Sequence, residues 1–161
     1  MKRLAFFITG TSGSGKSTIV PILKKLLPEF SVYDFDEIGV PSGADQKWRQ
    51  EASNKWLKII SKRKETKTIV CGVTVPDEIK SANKDKSFEL YFASIDIDPK
   101  DVKERLLKRC WSKERIEDNI LWGKVLKDKT EKESGSIIVD GSNNSPDEVV
   151  RILVNWIKGK L

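Results

Sequence analysis

The chain has 161 residues, of which 38% are hydrophobic and 34% are charged, and its 30 lysines and arginines outnumber 24 acids to give a net charge of +6. These numbers describe one globular domain with a buried core, and no apolar run approaches the roughly 18 residues that span a bilayer. Histidine is absent, and Cys71 and Cys110 form no C-x-x-C pair, which excludes histidine bases, histidine metal ligands and thiol zinc sites. We expect a cytoplasmic protein without a membrane partner, either a monomer or a homodimer.

Apolar, β-branched segments predict five strands that alternate with helical patterns along the chain. The strands are expected over residues 4–9, 31–35, 68–71, 88–95 and 136–139. Several of them are apolar at nearly every position, which is typical of strands buried on both faces of a parallel sheet. The sequence therefore predicts a single α/β domain over residues 1–161.

The first predicted strand leads into a glycine-rich loop, Gly10-Thr11-Ser12-Gly13-Ser14-Gly15-Lys16-Ser17-Thr18. It matches G-x-x-x-x-G-K-[ST] in full, and helical periodicity follows until Pro28. In such a loop, glycines bring backbone N–H groups close to phosphates, and the next helix presents its positive end to them. We predict an ATP and Mg²⁺ site in which Lys16 reaches the β and γ phosphates and the Ser17 hydroxyl binds Mg²⁺.

Two acids follow the second predicted strand, in Asp34-Phe35-Asp36-Glu37. Ligands of a parallel α/β sheet sit outside the carboxyl ends of its strands, so both acids are expected at the crevice of the phosphate loop. Asp34 would approach Mg²⁺, and Asp36 would accept a proton from an attacking hydroxyl. The alternative is that Asp36 caps a short turn before Pro41 while Asp34 makes a surface salt bridge.

An acceptor-binding region is expected over about residues 36–64, which include the longest predicted helix, 45–62. Trp48 and Arg49 at the start of that helix are candidate substrate contacts, together with the two acids. A pocket of these residues suits a sugar acid, a nucleoside or an antibiotic, and no residue type decides among them.

A helix predicted over residues 99–110 carries Arg105 and Arg109, and a second follows over 112–132. With Lys113, the two arginines would stand at four-residue steps, where like charges repel unless an anion lies between them. The sequence therefore predicts a mobile lid over about residues 105–132 whose arginines close over ATP. The alternative for Arg105 is an ion pair with Asp101, four residues earlier.

The loop of residues 10–18, the Asp34-x-Asp36 pair and the Arg105-x-x-x-Arg109 pair together resemble the shikimate kinase, gluconate kinase and adenylate kinase group of small P-loop kinases. The resemblance covers essentially the whole chain. It implies the P-loop NTPase fold, with a five-stranded parallel sheet in the order 2-3-1-4-5 and a helical lid. It also implies transfer of the γ-phosphoryl group of ATP to a hydroxyl or phosphate of a small molecule of the sugar acid, nucleoside or nucleotide class.

The resemblance further implies individual roles. Asp34 would serve the metal, Asp36 the acceptor hydroxyl and Arg49 the anchoring of the acceptor, while Gly141 and Ser142, after the last strand, would line the adenine. One departure concerns the end of the third strand, Ile69-Val70-Cys71-Gly72, where adenylate-kinase-like enzymes have Asp-Gly. The metal role therefore falls to Asp34, with Asp96 at the end of the fourth strand as the second candidate.

Two other functions stay open. A kinase for nucleic-acid 5′ ends is compatible with the net charge of +6, although no basic stripe is interleaved with aromatic residues as nucleic-acid binding favours. A nucleotide-binding module without catalysis would use the same loop and have no acceptor. It predicts ATP affinity that does not respond to Asp36→Asn and no phosphorylated product with any acceptor.

Overall fold

Strands and helices alternate throughout the computed structural model, which describes residues 2–161. The strands are β1 (Arg3–Thr9), β2 (Ser31–Asp34), β3 (Lys67–Cys71), β4 (Phe88–Asp96) and β5 (Ile137–Asp140). The helices are α1 (Lys16–Leu26), α2 (Gln46–Lys62), α3 (Pro76–Ala82), α4 (Pro99–Lys108), α5 (Lys113–Glu131) and α6 (Pro146–Lys158), and a 3-10 turn spans Phe35–Ile38. Within residues 2–161, no helix is long and apolar enough to cross a membrane.

The five strands form one parallel sheet in the order β2-β3-β1-β4-β5. This confirms both the predicted fold class and the predicted strand order. Because every strand runs in the same direction, the loops that follow β1, β2 and β4 all emerge at one edge of the sheet. The phosphate loop, the acids after β2 and Asp96 therefore share that edge.

Side chains of the central strand β1 alternate between two layers of the core. Phe6 and Ile8 pack with residues of α1 and α6 on one face of the sheet. Ala5 and Phe7 pack with residues of α2 and α3 on the other face. The four side chains are fully buried, so the strand that carries the phosphate loop is fixed from both sides.

The turn after β2 is held by buried contacts. Phe35 is 1% exposed, its carbonyl accepts a hydrogen bond from Trp56 Nε1 at 2.9 Å, and its Cβ lies against Gly72, at the end of β3, where there is no room for a further Cβ. A side chain at Gly72 would push the turn outward. These contacts fix Asp34 and Asp36 at the carboxyl edge of the sheet.

α4 and α5 are separate helices. α4 ends at Lys108, Cys110 turns the chain with φ +60°, and Ser112 begins α5 by accepting a hydrogen bond from the Arg115 N–H. The expectation that Arg105, Arg109 and Lys113 form one helical row of cations is therefore wrong. The helix register is lost at the turn before Lys113, so repulsion along such a row gives no argument for a bound anion.

Candidate active site

The loop between β1 and α1 forms a cradle made of backbone. Gly13 and Gly15 have φ of +83° and +95°, conformations that residues with a side chain rarely adopt. A Cβ at Gly10 would lie 2.6 Å from Ser14 Oγ, so the chain can close here only around glycine. α1 begins at Lys16, so the N–H groups that have no partner within the helix belong to this loop. Such N–H groups can bind the phosphate chain of a nucleotide.

Lys16 crosses this loop. Its Nζ donates to the Thr11 carbonyl at 2.6 Å and to Ser14 Oγ at 3.2 Å. Desolvation of the ammonium lowers the pKa of Lys16 to about 8, against the opposing charges of Asp36 and Asp34. A bound phosphate would favour the charged form in the same way as these acids do.

Asp34 and Ser17 meet beside the loop. Ser17 Oγ donates to Asp34 Oδ2 at 3.5 Å, while Asp34 Oδ1 accepts the Asp36 N–H at 2.9 Å. Glu37 completes a capping box by accepting the Asp34 N–H at 3.0 Å. Asp34, and not Asp36, thus caps the turn. A hydroxyl beside a carboxylate is a donor set that suits Mg²⁺ whose other ligands are phosphates and water, so these residues fit the ion.

Asp96, the second candidate for the metal, has another partner. Its carboxylate pairs with Lys127 of α5 at 3.2 Å. Together with Lys124 it lines a cavity of about 180 Å³ between β4 and α5. Of the two candidates, Asp34 is the one whose carboxylate contacts Ser17.

Asp36 projects from the turn into a cavity beside the phosphate loop. Partial burial and the neighbouring charge of Asp34 raise the pKa of this carboxyl, and Lys16 opposes them. A carboxylate with a raised pKa is a stronger base than an ordinary aspartate, which suits it to accept a proton.

Arg105 reaches the phosphate loop from α4. Its Nη1 donates to the Gly13 carbonyl at 2.7 Å, so it bonds the loop rather than Asp101. Arg105 and Arg109 line a cavity of about 260 Å³ together with Gly13, Gly15 and Gly141. The structure thus brings the two arginines together beside the loop.

Gly141 follows β5 at a point of close packing. A Cβ there would lie 2.5 Å from Ile97 Cδ1 and 2.7 Å from Ile95 Cγ2. Ser142 instead accepts the Asp98 N–H on its hydroxyl at 2.8 Å. Gly141 lines the arginine cavity, whereas Ser142 joins the loop after β5 to the start of α4. Their contact with adenine stays a prediction.

α5 contacts the phosphate loop at two points that the sequence did not reveal. Asn119 Nδ2 donates to the Ser12 carbonyl at 3.1 Å, across 107 positions of sequence. A Cβ at Gly123 would lie 3.0 Å from Thr11 Cγ2, so the absence of a side chain brings the helix close. Neither residue belongs to a local motif, since each acts only through this long-range contact.

A cavity of about 730 Å³ lies on the other side of the loop, and we call it the acceptor cavity. Its wall contains three of the predicted substrate contacts, Asp36, Trp48 and Arg49. Further lining residues are Ser12, Phe35, Val73, Trp111, Arg115, Trp122 and the loop 40–45. Trp111 and Trp122 are both half-buried in this wall.

Each arginine of the acceptor cavity stacks on a tryptophan. The Arg49 guanidinium lies 4.7 Å from the ring centre of Trp122, and that of Arg115 lies 4.0 Å from Trp111. Arg49 also makes two bonds to Glu78, from Nε at 2.8 Å and from Nη2 at 2.9 Å. Arg49 is thus held in a fixed orientation by a carboxylate and an indole.

No protein-family model and no curated protein sequence matches the chain, but solved structures do. Shikimate kinase from Aquifex aeolicus is 20% identical with a TM-score of 0.62, and the match covers 98% of each chain. The fold is that of the P-loop small-molecule kinases. A gluconokinase from Sinorhizobium meliloti is 16% identical, with a TM-score of 0.65 over 98% of this chain and 94% of that one. An APS kinase from Mycobacterium tuberculosis, solved with AMPPNP and APS, is 17% identical, with a TM-score of 0.60 over 98% of each chain.

These similar structures confirm the fold of the kinase group that the sequence resembles. In this P-loop kinase fold the phosphate loop borders both cavities of the site. Gly13 to Gly15 line the smaller one, and Ser12 lines the acceptor cavity. The site therefore has two compartments that meet at the phosphate cradle.

Proposed function

We propose that the protein is a small-molecule kinase that transfers the γ-phosphoryl group of ATP to a hydroxyl of its acceptor. The observation that carries the proposal is the position of Asp36, which lines the acceptor cavity two residues after the carboxylate that contacts Ser17. A proton acceptor and a phosphate cradle thus face one space, which is the arrangement that phosphoryl transfer requires.

On the nucleotide side, the loop N–H groups and Lys16 bind the phosphates, and Ser17 and Asp34 would hold Mg²⁺. When bound, Mg²⁺ neutralises part of the charge of the phosphates. Arg105, already bonded to the loop at Gly13, and Arg109 stabilise charge on the transferring group. The adenosine part occupies the smaller cavity, which Gly141 lines.

On the acceptor side, Asp36 takes the proton of the acceptor hydroxyl. The hydroxyl oxygen forms a bond to the γ phosphorus as the bond from that phosphorus to the bridging oxygen breaks, and ADP leaves with the electron pair. Protonated Lys16 offsets the negative charge during this step. The raised pKa of Asp36 helps it to act as the base.

The test is a screen for ADP release with sugars, sugar acids, nucleosides, nucleotides, aminoglycosides and an oligonucleotide with a free 5′ hydroxyl. Mass spectrometry identifies any product that has gained a phosphoryl group. We expect one acceptor class to react, and Asp36→Asn to reduce turnover about 10²-fold or more while ATP affinity stays the same. Tight ATP binding without a phosphorylated product from any acceptor would contradict the kinase and favour a nucleotide-binding module.

A further inference from the structure

The wall of the acceptor cavity points to a substrate class. We propose that the acceptor is an anion that carries a flat ring, as a nucleoside monophosphate does, and that it is phosphorylated on one of its hydroxyls. The inference rests on the proposed kinase function, because it concerns the same cavity.

The size and the aromatic content of the cavity favour a ring-bearing acceptor. Its volume of about 730 Å³ falls in the range of roughly 300–1,000 Å³ that suits drug-sized ligands. Trp48, Trp111 and Trp122 all line it, above the buried ring of Phe35. Indoles supply large flat surfaces on which rings stack at low entropic cost.

Trp48 is the indole available for stacking. Among residues 2–161 its one aromatic partner is Phe35, which it meets edge-to-face at 85° with ring centres 6.1 Å apart, and no cation of this part of the chain stacks on it. Trp111 and Trp122, in contrast, each carry a guanidinium. We therefore infer that the ring of the acceptor stacks on the indole of Trp48.

Arg115 is the anchor for the anionic group. Its guanidinium stacks on Trp111 at 4.0 Å and makes no ion pair or hydrogen bond with any other residue of the range 2–161. Stacking occupies the face of a guanidinium and leaves its N–H groups free in the plane, where they match a carboxylate or a phosphate. The Arg115 guanidinium thus has no ion-pair partner among residues 2–161, and the carboxylates of Asp36 and Asp45 line the same cavity.

Arg49 has one nitrogen that can also bind the anionic group of the acceptor. Glu78 takes its Nε and Nη2, which leaves Nη1 as the donor for a ligand. Glu78 also neutralises Arg49, so the uncompensated positive charge of the wall belongs to Arg115. Asp36 and Asp45, whose carboxylates both line the cavity, repel an anion, and the acceptor therefore meets Asp36 with a hydroxyl and Arg115 with its negative group.

The experiment measures binding of UMP, uridine and ribose 5-phosphate to the whole protein. Calorimetry and tryptophan fluorescence are used at saturating AMPPNP and Mg²⁺, which keep the probes out of the nucleotide cavity. UMP has the ring and the anion, uridine lacks the anion, and ribose 5-phosphate lacks the ring. We expect UMP to bind at least about tenfold more tightly than either of the others, with AMP, CMP and GMP tested in the same way.

Variants separate the two contacts. Arg115→Gln should weaken the binding of UMP about tenfold and leave the binding of uridine unchanged. Trp48→Leu should weaken the binding of both UMP and uridine and leave the binding of ribose 5-phosphate unchanged. Arg151→Gln, on the exposed face of α6, is the matched control and should alter nothing. Circular dichroism and urea unfolding establish that each variant is folded.

Equal binding of UMP and ribose 5-phosphate, or an unchanged UMP affinity in Arg115→Gln, would overturn the inference. Phosphoryl transfer to a neutral sugar would also overturn it and would leave the kinase function standing. Conversely, tight UMP binding that responds to both variants, with no phosphorylated product from any acceptor, would support this substrate class and contradict the kinase.

Discussion

The two compartments that meet at the phosphate loop are built from different parts of the chain. The nucleotide side consists largely of backbone, with Gly13 and Gly15 in left-handed conformations and an arginine bonded to the Gly13 carbonyl. The acceptor side consists of side chains from the turn after β2, from α2 and from the region of α5. In the proposed kinase, the backbone cradle would recognise the phosphate chain common to all nucleotides, whereas the side-chain wall would select one acceptor. Substitutions on the two sides should therefore affect different constants.

The largest effect is expected at Lys16. Lys16→Ala removes the cation that the loop holds at 2.6 Å from the Thr11 carbonyl, and we expect the rate of phosphoryl transfer to fall about 10³-fold. The measurement is ADP release under saturating acceptor. Lys24→Ala, in the last turn of the same helix, is the control and should retain full activity. Comparable turnover in both variants would contradict the assignment of Lys16.

A smaller effect, confined to the acceptor side, is expected from Glu78→Gln. The change leaves Arg49 without its charged partner. Both side chains are largely buried, since Arg49 is 16% exposed and Glu78 is 7% exposed. We expect the KM for the acceptor to rise about tenfold while the KM for ATP stays the same, because a charge-assisted hydrogen bond contributes about 1.5 kcal/mol or more.

The same variant should be less stable by about 2 kcal/mol or more, since it leaves a buried charge unpaired. Urea unfolding measures the loss. Glu133→Gln breaks an ion pair with the half-exposed Lys80 and serves as the matched control, for which we expect a loss of stability below about 1 kcal/mol.

If Glu78→Gln raised the KM for ATP as much as the KM for the acceptor, the two sides of the site would not be separate.

Gly13→Ala tests the backbone of the nucleotide side. The nearest atom to an added Cβ is Leu106 Cδ2 at 3.5 Å, so the cost comes from the φ of +83° and amounts to about 1 kcal/mol. We expect the Kd for ATP to rise about fivefold with little change for the acceptor. Gly135→Ala is the control, because Gly135 also has a positive φ, of +72°, but lies in the turn before β5. This variant should leave ATP binding intact.

The smallest effect near neutral pH is a pH dependence of ATP binding. In the proposed site Lys16 binds phosphate in its protonated form, and its pKa is lowered to about 8. The affinity for ATP should therefore be nearly constant below about pH 7, fall roughly twofold between pH 7 and pH 8, and fall about tenfold per unit above pH 8. Titration without Mg²⁺ measures this, and Lys16→Arg should abolish the alkaline loss because a guanidinium stays charged. An alkaline loss that persists in Lys16→Arg would assign the titration to another group.

The fold and the nucleotide side were predictable because their signals are local. The run from Gly10 to Thr18 is a contiguous motif, and strand periodicity places it after β1. Asp34 and Asp36 were predictable as residues at a strand end, because parallel strands share one carboxyl edge. The resemblance to small kinases supplied the strand order.

The acceptor wall was predictable only in part, since its contacts join distant segments. Glu78 lies 29 positions from Arg49, on a helix whose sequence has nothing unusual about that acid. Trp122 lies on a weakly amphipathic helix, and nothing in the local sequence indicates that Arg49 stacks on it. At the break between α4 and α5, Cys110 adopts a left-handed conformation. Residues other than glycine rarely adopt it, so a cysteine at this position does not predict the turn.

α5 contacts both compartments, through Asn119 and Gly123 at the phosphate loop and through Trp122 at Arg49. Its far end is joined to α3 by the ion pair of Lys129 and Asp77 at 3.4 Å. A shift of this one helix on nucleotide binding would move a wall of the other compartment. In that case thermodynamic reciprocity requires that the acceptor alter the Kd for ATP by the same factor by which ATP alters the Kd for the acceptor.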